Sequence, residues 1–142
     1  MRHARLVFPL LAVLFLGACV NDRTAHETEA NQAITLIREQ PRFWDKTVEL
    51  SLIIARMPDC MRRHALGNGT AKSEVELWQY RPDTFILKID GRLVAVETRT
   101  CEGLEKLDAP PANGLGTLLG TFHEAGGDMV FDPVLEPNPK AR

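Results

Sequence analysis

The dipeptide Asp90-Gly91 limits most sharply what this chain can fold into. It stands between Phe85-Ile86-Leu87-Lys88-Ile89 and Arg92-Leu93-Val94-Ala95-Val96. An Asp-Gly pair flanked by such runs is the strongest short-range signal for a tight β-hairpin. With Asp90-Gly91 as the loop, Ile89 falls opposite Arg92, Leu87 opposite Val94 and Phe85 opposite Val96. Phe85, Leu87, Ile89, Val94 and Val96 then share one face. Thr84, Ile86, Lys88, Leu93, Ala95 and Glu97 take the other. A slip of one residue would turn the apolar set to water, so turn chemistry and hydrophobic pattern agree on one register.

Further strands follow from the same period. Thr47 to Ala55 places Val48, Leu50, Leu52 and Ile54 on one face and Glu49 and Ser51 on the other, while Ile53 asks for cover on both sides. Glu74 to Tyr80 is a strand that ends at the turn Arg81-Pro82-Asp83-Thr84. Thr117 to Phe122 and Met129 to Leu135 flank Gly126-Gly127, and Pro133 assigns the last strand to a sheet edge. Upstream the pattern differs. Thr24-Ala25-His26-Glu27 has the form of a capping box. Ala30, Ala33, Ile34 and Ile37 recur at helical spacing, and Pro41 ends the run. This predicts a helix from Glu27 to Gln40. Pro58 to His64 reads as one or two helical turns, closed by Gly67-Asn68-Gly69.

The expected fold class is α+β: one N-terminal helix packed on an antiparallel sheet of four to five strands. Phe43-Trp44-Asp45-Lys46-Thr47-Val48-Glu49-Leu50 resembles the opening strand of periplasmic OB-like domains. Leu118-Leu119-Gly120-Thr121-Phe122 and Phe131-Asp132-Pro133-Val134-Leu135 are similar to that family's last strands. The resemblance covers residues 27–136 and implies that the sheet closes as a small OB-like barrel.

The N-terminus carries a second message. A basic head, Met1 to Arg5, precedes the apolar run Leu6 to Leu16, and small Gly17 and Ala18 precede Cys19. The run is shorter than the roughly 20 residues a membrane-spanning helix needs, and Pro9 interrupts it. Leu16-Gly17-Ala18-Cys19 resembles the lipobox of bacterial lipoproteins. The resemblance implies that residues 1–18 are a removed signal peptide, that the Cys19 thiol carries a diacylglyceryl group, and that the new N-terminus is acylated. Several acyl chains anchor a domain stably where one does not. Val20 rather than Asp follows the cysteine, which by the sorting rule of that family implies the outer membrane, facing the periplasm. Residues 19–26 read as a lipidated tether, 27–136 as a single domain and 137–142 as a disordered tail.

Composition narrows the function classes. The chain has 17 basic and 19 acidic side chains, and loss of residues 1–18 would remove Arg2 and Arg5 but no acid. The mild acidity speaks against a nucleic-acid partner, which calls for a basic face. With Cys19 lipidated, Cys60 and Cys101 remain, and in an oxidising compartment they pair most simply with each other. The loop so closed, of roughly 42 residues, contributes about 4 kcal/mol in the chain-entropy picture.

No residue set nominates a catalytic centre or a cofactor. The only serines, Ser51 and Ser73, lack the surroundings of a nucleophile elbow. There is no His-Glu-x-x-His, Cys-x-x-Cys or phosphate loop. His26, His64 and His123 are widely spaced. Trp44, Trp78 and Tyr80 are the candidate ligand-binding aromatics. Trp78 and Tyr80, two apart on a strand, would point the same way, opposite Val75, Leu77 and Gln79, and either pack in the core or stack on sugars or bases. The alternative is copper binding or thiol redox chemistry by Met57, Cys60, Met61 and His64, since soft sulfur donors and an imidazole suit Cu(I). That reading requires a free Cys60 thiol, whereas the plainer one pairs Cys60 with Cys101. The reading adopted is a non-enzymatic, lipid-anchored periplasmic domain that binds an envelope protein or polymer.

Overall fold

Buried and exposed side chains alternate along most of the chain, and that period builds strands throughout. The computed structural model describes residues 19–135, in which ten strands and no helix are found. Strands β1 (Asn21–Glu29), β2 (Gln32–Glu39), β3 (Thr47–Arg56) and β4 (Cys60–Thr70) form one antiparallel meander. Strands β5 (Val75–Arg81), β6 (Thr84–Ile89), β7 (Arg92–Glu97) and β8 (Leu104–Leu107) form another. Strands β9 (Thr117–Ala125) and β10 (Asp128–Pro133) extend it beyond β5, giving the order β10-β9-β5-β6-β7-β8.

The two sheets share one apolar core. Ile34, Leu36, Val48, Leu50, Leu52, Ile54 and Leu66 come from the four-stranded sheet, and Val75, Leu77, Phe85, Leu87, Ile89, Val94, Val96, Phe122 and Met129 from the six-stranded one. The Asp90-Gly91 hairpin has the expected register, with Ile89 opposite Arg92, Leu87 opposite Val94 and Phe85 opposite Val96. Asp90 and Gly91 both have positive φ, as a tight primed turn demands. Pro133 lies on β10, an edge strand, where its missing N–H leaves no gap in a ladder.

The N-terminal half overturns the α+β expectation. The helix expected over Glu27 to Gln40 is instead the end of β1, a tight turn at Ala30-Asn31, and β2. Asn31 takes φ 70, which Asn tolerates far better than most residues. The β-branched Ile34, Thr35 and Ile37 fit a pleated surface, and Ile34, Leu36 and Arg38 face inward together. Strand β1 begins at Asn21, inside the stretch read as a tether. The helical turns expected over Pro58 to His64 are instead the end of the β3–β4 turn and the start of β4, which pairs along its length with β3. A bulge there lets Leu66 point into the core, and Gly67 supplies the φ of 91 that follows it. Ten strands in two sheets also exclude the small OB-like barrel. Residues 1–18 and 137–142, read as signal peptide and tail, lie outside the described residues.

Side chains sew the sheets together at both ends. At the end where β1 begins, the Arg38 side chain is only 1 % exposed and faces Asp22 across the β1–β2 pair. Its Nε donates to Asp22 Oδ1 at 2.8 Å, and its Nη2 donates to Asp22 Oδ2. The guanidinium also donates to the carbonyls of Ala71, on the β4–β5 connection, and Gly127, on the β9–β10 turn. Asp22 Oδ2 accepts a further bond from the Met129 amide at 2.7 Å. Burial alone would raise the Asp22 carboxyl, but the bonds from Arg38 and Met129 outweigh it and hold its pKa below the ordinary value. At the opposite end, Thr98 Oγ1 donates to Gln32 Oε1 at 3.1 Å, Arg56 pairs with Asp83, and a disulfide joins Cys60 to Cys101.

Asp22→Asn leaves a buried guanidinium without its charge partner and should cost about 3 kcal/mol in urea denaturation at neutral pH. Asp22→Leu combined with Arg38→Met should cost clearly less. Because the folded Asp22 pKa is lowered, the pair's contribution is present above the unfolded carboxylate value and fades as pH falls through the folded one. The wild type should therefore lose stability on acidification faster than Asp22→Asn does. Parallel acid limbs would refute this account.

Candidate functional site

The outer face of the six-stranded sheet presents the most distinctive side-chain surface. Strand alternation turns Val75 and Leu77 into the core, where both are fully buried, and therefore turns Glu76 and Trp78 outward. Trp78 lies opposite Ile86 on β6 and opposite Leu118 on β9. Ile86 is 1 % exposed although it belongs to the outer face; its cross-strand neighbours there are Trp78 and Ala95. The indole is half-buried, and its Nε1 donates to Glu76 Oε2 at 2.9 Å. Lys88, opposite Glu76, donates to Oε1 of the same carboxylate at 3.2 Å. One carboxylate thus fixes the indole edge and neutralises the adjacent cation.

Tyr80 departs from the simple alternation. It is the extra residue of a bulge between Gln79 and Arg81, so the strict two-residue spacing from Trp78 no longer sets its direction. Arg81 lies over the ring at 5.1 Å, within cation–π range. The chain approaches closely here: a Cβ on Gly116 would sit 2.1 Å from the Gln79 carbonyl oxygen, and φ there is 96. Only glycine fits that position.

Two clefts flank this face. One, of about 300 Å³, is lined by Arg81, Asp83, Thr84, Glu97 and Arg99. The other, of about 350 Å³, is lined by Lys72, Glu74, Glu76, Lys88 and Asp90. The half-buried indole lies between them on a track roughly 20 Å long, taking six residues of strand at about 3.3 Å each. Each cleft mixes basic and acidic side chains, and with an aromatic surface between them they suit hydrogen-bonded contact with an extended polar chain.

Of the four residues in the metal or redox alternative, the strand separates what a helix would have grouped. Cys60 and His64 share the inward face of β4, whereas Met61 takes the opposite face and is exposed, as is Met57. Cys60 is bonded to Cys101. His64 Nε2 lies 2.7 Å from the Cys101 carbonyl, so that nitrogen carries the proton and donates it there. The loop bearing Cys101 is organised by Glu97, which accepts from the amides of Thr100 at 2.9 Å and Gly103 at 3.1 Å. Burial would raise the Glu97 carboxyl, but these bonds and that of the Thr100 hydroxyl lower it to about 2. Among the described residues no group of three or more His, Cys, Asp or Glu side chains is arranged to hold a metal ion.

One polar pair had no signal in the sequence. His123 on β9 and Asp132 on β10 lie 2.6 Å apart. The histidine's other nitrogen, Nδ1, meets the Glu124 carbonyl at 3.1 Å. Both partners are acceptors, so the ring satisfies both only as an imidazolium, and its pKa is raised chiefly by Asp132. His26 has no such partner; it stacks on Phe131 at 4.2 Å, and burial lowers its pKa.

No family model, curated protein or solved structure matches this chain.

Replacing Cys60 and Cys101 together with alanine should lower stability by about 4 kcal/mol for a sequence separation of 41. Denaturant titration with and without reductant checks this. Reductant should bring the wild type to the stability of the double variant and leave the variant unchanged.

Proposed function

We propose that this chain is a lipid-anchored protein of the bacterial cell envelope, held by Cys19 in the outer membrane and facing the periplasm, and that its role is binding. The observation that carries this reading is the placement of Cys19. It is exposed and free, while Cys60 and Cys101 pair with each other. It also stands between the signal-like residues 1–18 and the first strand, at the point where acylation would have to occur. A disulfide is at home in an oxidising compartment, which agrees with the periplasm. The partner is an envelope protein or polymer, and the surface that best suits it is the outer face carrying Trp78, with Arg81 and Lys88 toward its two ends.

Cys19→Ser should block lipidation and move the protein from the membrane to the soluble fraction. Intact mass should show the wild type beginning at Cys19 with a diacylglyceryl and an acyl adduct. A wild-type mass without lipid on Cys19 would end the anchor reading. Trp78→Ala should weaken retention on isolated cell-envelope polymer about tenfold, in line with one lost aromatic stacking contact, while the protein stays folded. Unchanged retention would remove Trp78 from the binding surface.

A further inference from the structure

The β2–β3 loop ends in two aromatic side chains that the fold does not use. Residues 42–45 make a turn closed by the bond from the Asp45 amide to the Arg42 carbonyl at 3.1 Å. Its two central positions are Phe43 and Trp44, 69 % and 70 % exposed. Tight turns favour Gly, Pro, Asn, Asp and Ser there, and large apolar groups at a loop tip add nothing to a core. The rings touch only in an edge-to-face pair, with centroids 4.7 Å apart. Arg42 and Lys46, both exposed, flank them.

This loop is tied to the start of the domain. The Gln40 amide donates to the Val20 carbonyl at 2.7 Å, and the Val20 amide donates to Gln40 Oε1 at 3.0 Å. The Gln40 side chain also donates to the Asp45 carbonyl. Gln40 therefore clamps the aromatic loop to the residue next to Cys19. Val20 packs against the core, and β1 begins at Asn21, so no flexible spacer separates Cys19 from the folded domain. Phe43 is three residues beyond Gln40, a reach of at most about 11 Å. The other exposed large apolar residues, Met57, Met61, Val134 and Leu135, belong to segments away from this end.

We propose that Phe43 and Trp44 insert into the headgroup region of the bilayer that holds Cys19, with Arg42 and Lys46 against anionic phosphates. Aromatic side chains with apolar bodies favour the membrane–water interface, and basic residues beside an anionic leaflet add attraction. The acidic Asp90 and Asp128 stand on the turns of the other sheet at this end. Asp128 borders Cys19 itself, as does the exposed Lys72, so charge does not single out one sheet; anchor and loop lie at this one end and together hold the domain in one orientation. The orientation rests on the anchor reading; the insertion of the loop has its own measurement.

The test uses the full chain with Trp78→Phe, which leaves Trp44 as its only tryptophan. It is purified from membranes and reconstituted in phosphatidylethanolamine–phosphatidylglycerol vesicles carrying acyl-brominated lipid. Trp44 emission should shift to the blue and fall about twofold or more relative to unbrominated vesicles, with aqueous iodide a weak quencher. Adding Phe43→Ser should reverse much of this change. Emission like that of a water-exposed indole, insensitive to bromine, overturns the loop insertion. The mass at Cys19 in the same sample decides the anchor separately: lipid there with unquenched Trp44 rejects only the insertion, and quenched Trp44 without lipid rejects only the anchor.

Discussion

Arg38 and Asp22 hold the meeting point of the two sheets. A guanidinium buried among β-strands is costly unless its donors are satisfied and its charge is matched. Here Asp22 supplies the charge and two acceptor oxygens, and the carbonyls of Ala71 and Gly127 take further donors. Those partners come from β1, the β4–β5 connection and the β9–β10 turn, all distant in sequence. Met129 adds its amide to the same carboxylate, and its carbonyl accepts from Thr24 at 2.5 Å. Strand β1 thus meets β10 through side chains where no backbone ladder joins them. The arrangement tells each strand edge where to stop, which apolar contact alone does less sharply because it is non-directional.

The opposite end is fixed by different chemistry. The disulfide, the Gln32–Thr98 hydrogen bond and the Arg56–Asp83 pair bring β2, β3 and β4 against the β5–β6 turn and the loop after β7. Between these two clamps the outer face of the six-stranded sheet has a rigid base, so the Trp78 surface sits on strands rather than on a mobile loop. Rigid support lowers the ordering cost of binding. The aromatic loop and Cys19 lie at the Arg38 end, whereas Trp78 lies on the outer face of the six-stranded sheet.

Legibility in the sequence followed the contrast of the hydrophobic pattern. In strands β3, β5, β6 and β7 the inward residues are those the period predicts, even though Ser51, Ile86 and Leu93 on the outer faces are buried as well. Strand β1 was opaque because both its faces are polar: Asp22, Thr24 and His26 point inward, and Arg23 and Glu27 outward. Its inward residues are used in hydrogen bonds and an aromatic stack at the seam, an arrangement no local period can signal. Strand β2 misled for the opposite reason. Ile37 is buried on the outer face beside the inward-facing Leu36 and Arg38, and apolar residues on both sides of a short strand imitate a helical stripe. Strand β8 has only four residues, too few to establish a period. At the candidate site, the period set Trp78 on the face opposite Val75 and Leu77, but only the packing of the two sheets turned that face outward, and the bulge that displaces Tyr80 arises from the mismatch with β6.

By itself the sequence determined the Asp90-Gly91 hairpin and its register, because turn chemistry and side-chain alternation act within a dozen residues. It also made Cys60 and Cys101 the simplest pair to bond, which the structure bears out. Only the tertiary structure decided that residues 21–39 are two strands, since the energy that overrides their helical spacing comes from β3, β10 and the buried Arg38. It alone brought Gln40 beside Val20 and so set Phe43 and Trp44 next to Cys19. Such contacts join residues twenty or more positions apart, and no local preference encodes them.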